Sequence, residues 1–170
     1  MAKLAKKMWV LITVVPFFLI ADQWTKQLIL SHFAYGEIYP IVPEFFEITY
    51  IRNKGAAFGF LAGAHDQFRI PFFYVVPILV LAVIVWLFVK LPKDHVRMAI
   101  ALSLVISGAL GNLMDRFLHG YVVDFLSFHW KTVYYYPAFN VADSAICVGL
   151  GIILLDIFME SRSAARKQES

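Results

Sequence analysis

The sequence predicts an all-α integral membrane protein with four transmembrane helices and a small β-containing outer loop region. Of its 170 residues, 61% are hydrophobic and only 16% are charged, whereas soluble domains have about 45–50% and about 25%. The mean hydropathy is +0.71, and the apolar residues fall in four stretches of roughly bilayer length. This composition excludes an ordinary soluble domain and a disordered region. The single cysteine excludes an internal disulfide and a multi-cysteine metal site.

Four spans account for the apolar stretches and form a single membrane domain over residues 1–170. A helix needs about 20 apolar residues to cross a bilayer. The second stretch, Ile70–Val89, is an unbroken run of 20 uncharged residues, and the third, Met98–Met114, is a run of 17. Charged residues interrupt the first and fourth stretches. The expected spans are 8–30, 68–89, 98–115 and 140–159.

The basic residues predict the orientation, because loops rich in Lys and Arg stay in the cytoplasm. Nine of the 15 basic residues lie in the N-terminus, the 90–97 connection and the C-terminal tail. Four spans place all three segments on one side, so we expect them in the cytoplasm. The outer loops are then 31–67 and 116–139.

The basic N-terminus followed by an apolar run also resembles a cleavable signal peptide. The segment Leu19–Asp22 lacks a small-x-small cleavage site. We therefore expect this segment to remain as the first span.

The first outer loop is too long to be a bare connection. Apolar and polar residues alternate in the segment Phe46–Arg52, which also contains β-branched and aromatic side chains. This pattern predicts a short strand. Asn53-Lys54-Gly55 is a turn sequence that follows it. The next segment, Ala56–Leu61, is apolar but too short to span a membrane, so we expect it to lie at the interface or to re-enter.

Polar residues within or next to the spans converge on the outer leaflet in this topology. A charge inside a span is costly, about 2.5–3.5 kcal/mol for Asp or Lys at the centre on insertion scales, so each one requires a reason. Asp156 is the exception, near the cytoplasmic end of the fourth span. The outer group comprises Asp22, Lys26, Asn112, Asp115, Arg116, Asp124, Asn140 and Asp143.

Seven of these eight residues also have a purely structural interpretation. Asp22 and Lys26 have the i,i+4 spacing of a helical ion pair. Asn140 and Asp143 fit a helix N-cap followed by an acid in the first turn. Asp124 fits a solvated loop acid, and Asp115 with Arg116 fits a charge pair at the membrane interface. Their common depth nevertheless favours a functional interpretation of the group.

Carboxylate chemistry is what remains when other reaction types are compared with the sequence. The five histidines show no metal-ligand spacing, there is no Gly-x-Ser-x-Gly elbow, and no glycine-rich phosphate loop follows a strand. Cys147 is assigned to the protein core. Two aspartates that share a proton can hydrolyse an amide, one as base and one as acid. The residues alone leave the pair open among Asp22, Asp115, Asp124 and Asp143.

Five blocks in order resemble the bacterial lipoprotein signal peptidase family, also called signal peptidase II, over about residues 8–160. Ser107 stands where many relatives have a second glycine, and a serine there is also small. The blocks are Asp22-Gln23-Trp24-Thr25-Lys26, Arg52-Asn53-Lys54-Gly55-Ala56-Ala57-Phe58, Gly108-Ala109-Leu110-Gly111-Asn112-Leu113-Met114-Asp115-Arg116, Gly120-Tyr121-Val122-Val123-Asp124-Phe125 and Phe139-Asn140-Val141-Ala142-Asp143-Ser144-Ala145.

The resemblance implies a four-span aspartic endopeptidase whose catalytic residues are Asp124 and Asp143. It implies a diacylglyceryl-modified prolipoprotein as substrate, cleavage just before the lipid-bearing lipobox Cys, and no metal or organic cofactor. It places the enzyme in the bacterial inner membrane with the site near the periplasmic face. The implied substrate-binding or supporting residues are Asp22, Lys26, Asn53, Gly55, Asn112, Arg116 and Asn140.

Membrane lipids are the other expected partners; we expect a monomer and no nucleic-acid site. Two other classes of function stay open. A transporter or channel also carries carboxylates within its spans, but it should show polar residues in both leaflets. A non-catalytic membrane scaffold should tolerate Asp124→Asn. Presenilin-like peptidases are a nearer rival, but their Gly-x-Gly-Asp motif is absent from the sequence.

Overall fold

The computed structural model describes residues 5–55, 65–131 and 133–168, and it is mostly helical. Within those residues, four helices are long and apolar enough to cross a membrane. This confirms the fold class expected from the sequence. The helices are α1 (Lys6–His32), α2 (Asp66–Lys90), α3 (Val96–His119) and α4 (Val141–Gln168).

Seven of these eight helix ends lie within four residues of the expected span ends, whereas α4 continues nine residues past its expected end at 159. Helix α1 contains Pro16, and α2 contains Pro71 and Pro77, which membrane helices tolerate because neighbouring groups satisfy the freed backbone. Helix α3 is capped at its C-terminal end by Gly120, which adopts the left-handed conformation with φ of 76°. This conformation favours glycine, because a Cβ atom would lie too close to the following carbonyl oxygen.

Helix α3 is the centre of the bundle and packs against the other three helices. Its buried face is rich in small side chains, including Ala99, Ala101 and Ser103. Small side chains let membrane helices pack closely, and this packing stabilises their association because the hydrophobic effect does not operate between helices in lipid. The closest approach is to α4, and an added Cβ on Gly108 would lie only 2.3 Å from the Ala142 carbonyl oxygen.

The two loops that the sequence predicts to face outward contain an antiparallel sheet in the order β1-β2-β3-β4. Its strands are β1 (Ile38–Val42), β2 (Phe46–Asn53), β3 (Val122–Trp130) and β4 (Tyr134–Tyr135). The sequence predicted only β2. Strand β1 contains Pro40, which suits an edge strand because proline donates no hydrogen bond to a neighbour. The apolar segment Ala56–Leu61, expected at the interface or re-entering the membrane, lies outside the described residues.

Pairing of β2 with β3 brings two distant parts of the chain together above the helices. Ile51 lies opposite Asp124 and Asn53 opposite Val122, with a bulge between Ile48 and Ile51. Since side chains alternate along a strand, Asn53 and Asp124 lie on the same face of the sheet. A buried cluster around Tyr50, Val123 and Phe125 packs the sheet against Ile29 of α1.

Candidate active site

Asp124 and Asp143 lie on different elements and are connected by one side chain, that of Asn140. Asp124 is in β3 and only 2% exposed, whereas Asp143 is half-buried in the first turn of α4. The Asn140 amide donates to Asp124 Oδ1 at 2.7 Å, and its carbonyl oxygen accepts from the backbone N–H of Asp143 at 2.9 Å. The expectation of a solvated loop acid at Asp124 is therefore wrong, because the strand buries it.

The start of α4 has reciprocal hydrogen bonds between Asn140 and Asp143. The Asp143 carboxylate accepts from the backbone N–H of Asn140 at 3.2 Å, while Asn140 caps Asp143 in return. This arrangement is a capping box, which satisfies two backbone N–H groups that the helix leaves unpaired. The capping interpretation is therefore confirmed, and the cap also brings Asp143 beside Asp124.

All three asparagines of the chain converge on the two carboxylates. Asn53 donates from β2 to Asp124 Oδ2 at 2.9 Å, and Asn112 donates from α3 to Asp143 Oδ1 at 2.7 Å. Asn140 supplies the third amide. Each of the four carboxylate oxygens thus accepts at least one N–H group, which favours well-defined side-chain positions.

A buried charge cluster supports the site from the α1 side. Lys26 Nζ lies 2.9 Å from Asp22 Oδ2 and 3.0 Å from Asp115 Oδ2, and all three side chains are at most 2% exposed. Asp22 also accepts the backbone N–H of Ala142, and Asp115 that of Val123, both at 2.9 Å. The expected Asp22–Lys26 ion pair is confirmed. The carboxylates of Asp22 and Asp115 connect α1 and α3 to the elements that carry Asp143 and Asp124.

Asp115 is therefore not a partner of Arg116 in an interface charge pair. Arg116 donates to the backbone carbonyl of Asn112 at 3.1 Å and to that of Gly55 at 3.2 Å. Its own carbonyl oxygen accepts from the Tyr74 hydroxyl. Arg116 thus holds Gly55, two residues after the end of β2, against α3.

Gln23 belongs to this cluster, although the sequence analysis gave it no role. Its side-chain amide donates to Asp22 Oδ2 at 3.1 Å, Asp115 Oδ1 at 3.0 Å and the carbonyl of Gly111 at 3.2 Å. The signal that could have identified it is its position directly after Asp22 in a matching block.

The environment of Asp124 favours its protonated form. Burial, followed by the nearby charge of Asp143, raises the pKa of Asp124 to about 7, and the hydrogen bonds from Asn53 and Asn140 oppose the shift only partly. Close carboxylates resist double ionisation, so the two are expected to share a proton near neutral pH.

A large open cavity connects this pair of carboxylates to the surface between the helices. Its volume is about 1690 Å³. Asp124, Asp143, Asn53, Asn112 and Arg116 line its polar part, and an apolar wall from α2 and α4 continues from them, formed by Ile70, Phe73, Ile146, Cys147 and Val148. Cys147 is exposed on this wall. The expectation that it lies in the protein core is therefore wrong.

Asp156 lies at the opposite end of α4 from the site. It is buried and lies 2.9 Å from both His95 Nε2 and Arg97 Nε. Ligand atoms of His95, Asp156 and Glu160 all lie within 4.8 Å of one another, but the two basic partners already occupy the Asp156 carboxylate. This cluster connects the start of α3, from His95 to Arg97, to α4.

Four helices that are long and apolar enough to cross a membrane, with two amide-bound aspartates lining one cavity, fit a multi-pass membrane enzyme of the aspartic type. The family described as "Signal peptidase (SPase) II" matches residues 14–159. The chain belongs to the signal peptidase II family, whose enzymes remove signal peptides from prolipoproteins.

Curated relatives and solved structures agree with this assignment. The chain is 46% identical over 146 residues to a lipoprotein signal peptidase of Syntrophotalea carbinolica, covering 86% of this chain and 89% of that protein. It is 49% identical over 147 residues to one of Geobacter sulfurreducens, covering 86% and 90%. A bacterial membrane enzyme solved by the in meso method at 2.3 Å resolution superimposes with a TM-score of 0.78 at 35% identity, covering 89% of this chain and 88% of that one.

Proposed function

We propose that Asp124 and Asp143 are the catalytic dyad that cleaves diacylglyceryl-modified prolipoproteins just before the lipid-bearing Cys. The observation that carries the proposal is the bridge through Asn140, which binds both aspartates at the wall of the cavity. Seven aspartates occur in the chain. Among the aspartates whose side chains the structure describes, Asp124 and Asp143 are the pair that lines the cavity.

The chemistry requires one ionised and one protonated carboxyl group. The ionised group takes a proton from water, and the water oxygen forms a bond to the scissile carbonyl carbon. The protonated group donates a hydrogen bond to the carbonyl oxygen, which becomes negative as the tetrahedral intermediate forms. Transfer of a proton to the leaving nitrogen then accompanies breakage of the C–N bond. We assign the proton-holding role to Asp124 because its carboxyl group is the more deeply buried of the two, at 2% exposed against the half-buried Asp143, and burial raises its pKa to about 7.

The supporting residues have distinct proposed roles around that dyad. Asn53, Asn112 and Asn140 hold the carboxylates, while Asp22 and Lys26 hold α1 against the site. An unwound cleavage segment needs hydrogen-bond partners because lipid supplies none. We assign that role to Arg116 and to the chain at Gly55, since both line the cavity.

The apolar cavity wall suits a lipid-modified substrate. A signal helix and two acyl chains are apolar along most of their length and enter most easily from the bilayer. We propose that the site faces the periplasm in the inner membrane, that both termini are cytoplasmic, and that the working unit is a monomer. The distribution of basic residues supports this orientation.

The test is cleavage of a synthetic diacylglyceryl prolipoprotein by purified protein in detergent with a chelator present. Wild type should cleave before the lipid-bearing Cys, and Asp124→Asn and Asp143→Asn should each lose activity by at least about 10³-fold. Asp94→Asn is the matched control, because Asp94 is exposed in the connection before α3. Retained cleavage by either dyad variant would mean that the dyad is misassigned, with Asp22 or Asp115 to test next.

A further inference from the structure

The Lys26 ammonium donates to three acceptors, and only two of them are charged. Two of its contacts are to the carboxylates of Asp22 and Asp115, and the third is to the side-chain oxygen of Asn112 at 3.1 Å. An ammonium has three donors and no acceptor, so these contacts use its full capacity. Lys26 therefore reaches the amide that binds Asp143 and not only its ion-pair partners.

The orientation of the Asn112 amide follows from its neighbours. Its oxygen accepts from Lys26 and also from the Asn140 side-chain amide at 3.2 Å. The orientation of Asn140 is set in turn by the backbone N–H of Asp143, which can only donate and faces the Asn140 oxygen. Two donors thus face one side of Asn112, so its NH₂ group faces Asp143 Oδ1.

We propose that Lys26 is a positioning residue for the reaction: its ammonium fixes the Asn112 amide so that Asp143 meets an N–H group and not a carbonyl oxygen. A flipped Asn112 would place NH₂ against the ammonium and oxygen against the carboxylate, two repulsive contacts. Lys26 acts through Asn112 and touches neither carboxylate of the dyad in the described hydrogen bonds and ion pairs.

The consequence concerns the ionisation of the dyad, so the inference rests on the proposed function. A hydrogen bond donated to a carboxylate favours its ionised form. Without the Asn112 N–H, both protonation steps of the dyad move to higher pH. The charged groups packed around the dyad are Asp22 and Lys26 of α1 and Asp115 and Arg116 of α3. The same cavity is also lined by Arg52 of β2, Lys54, Tyr74 of α2 and His119 of α3.

A charge-matched pair of variants separates this role from a structural one. Asp22→Asn with Lys26→Met leaves the cluster with one negative charge, as in the wild type, and the amide introduced at position 22 retains an oxygen for the Ala142 N–H. The pH–rate profile of this double variant should move up by about one pH unit, about a tenfold loss of rate on the acidic side. Asp22→Asn alone keeps Lys26 and removes a negative charge, so its profile should stay or move down.

A second measurement needs neither cleavage nor a change in the Lys26 cluster. Because the chain has only three asparagines, selective ¹⁵N-asparagine labelling yields three side-chain NH₂ signals, assigned by the signal that Asn112→Ser removes. All three should shift together as the dyad titrates in the wild type, since each faces a dyad carboxylate.

The possible results are decisive. A folded double variant with the wild-type pH profile would overturn the inference. So would an Asn112 signal that stays constant while those of Asn53 and Asn140 titrate. Absence of cleavage by wild type would contradict the proposed function instead, and the labelling result would still test the orientation of Asn112.

Discussion

Replacement of Gly108 by alanine tests how closely α3 and α4 must approach for the site to form. An added Cβ would lie 2.3 Å from the Ala142 carbonyl oxygen and 2.7 Å from Ile146 Cγ1, where ordinary contact begins at 3.4 Å. Relief of the clash therefore requires the helices to separate by about 1 Å. The first contact is backbone, so no side-chain rotation relieves it.

The required shift acts directly on the carboxylates. Ala142 precedes Asp143, and its N–H is hydrogen-bonded to Asp22, so movement of the first turn of α4 displaces Asp143 or breaks that bond. Overpacking of this kind costs about 1–3 kcal/mol of stability. A misplacement of about 1 Å in a reacting group can cost about 100-fold in rate. We expect both effects in Gly108→Ala, with the larger one in kcat.

Gly151→Ala in α4 is the matched control, because nothing lies within 4 Å of its added Cβ. Its kcat should match that of wild type, and its stability should rise by up to about 1 kcal/mol because alanine favours helix. The assays are cleavage kinetics of the synthetic lipopeptide and thermal unfolding in the same detergent. A Gly108→Ala protein with wild-type kcat and melting temperature would refute the close-approach argument.

Three further outcomes are expected. The rate of cleavage should fall as the pH rises above about 7. The pKa of Asp124 lies above the ordinary value of about 3.9, so this carboxyl group keeps its proton below about pH 7 and loses it above that pH. A pH–rate profile that still rises at pH 9 would contradict this. Asn140→Ala should lower kcat by about 100-fold and stability by about 1 kcal/mol through the lost cap, so equal kcat in a folded variant would be the wrong result. Asp156→Asn should lower the free energy of unfolding by about 1 kcal/mol, because the buried carboxylate loses its ion pairs to two partly exposed partners. The melting temperature should fall accordingly, while kcat per folded molecule stays unchanged.

The arrangement of the site explains why so many polar groups are tolerated in a membrane protein. Asp22, Lys26 and Asp115 are fully buried, and each makes contacts to opposite charge and to amide or backbone groups. Removal of one partner from such a buried cluster is strongly destabilising, since it leaves uncompensated charge. The cluster therefore both supports the site and restricts how it can change.

Four spans, one strand and a group of polar residues at one depth can be predicted from the amino-acid sequence, because hydropathy, charge and alternation are properties of neighbouring residues along the chain. The sequence also predicted the Asp22–Lys26 pair and the cap at Asn140, which are local contacts within four residues. A family resemblance was needed to select Asp124 and Asp143 from four aspartates.

How those residues meet depends on the packing of elements that are far apart in the chain. Asp124 is buried because β3 pairs with a strand more than 70 positions earlier, in a register that brings Asn53 beside it. Asp115 joins Lys26 and not Arg116 because α1 and α3 pack against each other there. Such contacts depend on sheet register and helix rotation, which are set by packing over the whole molecule, and so no local pattern reveals them.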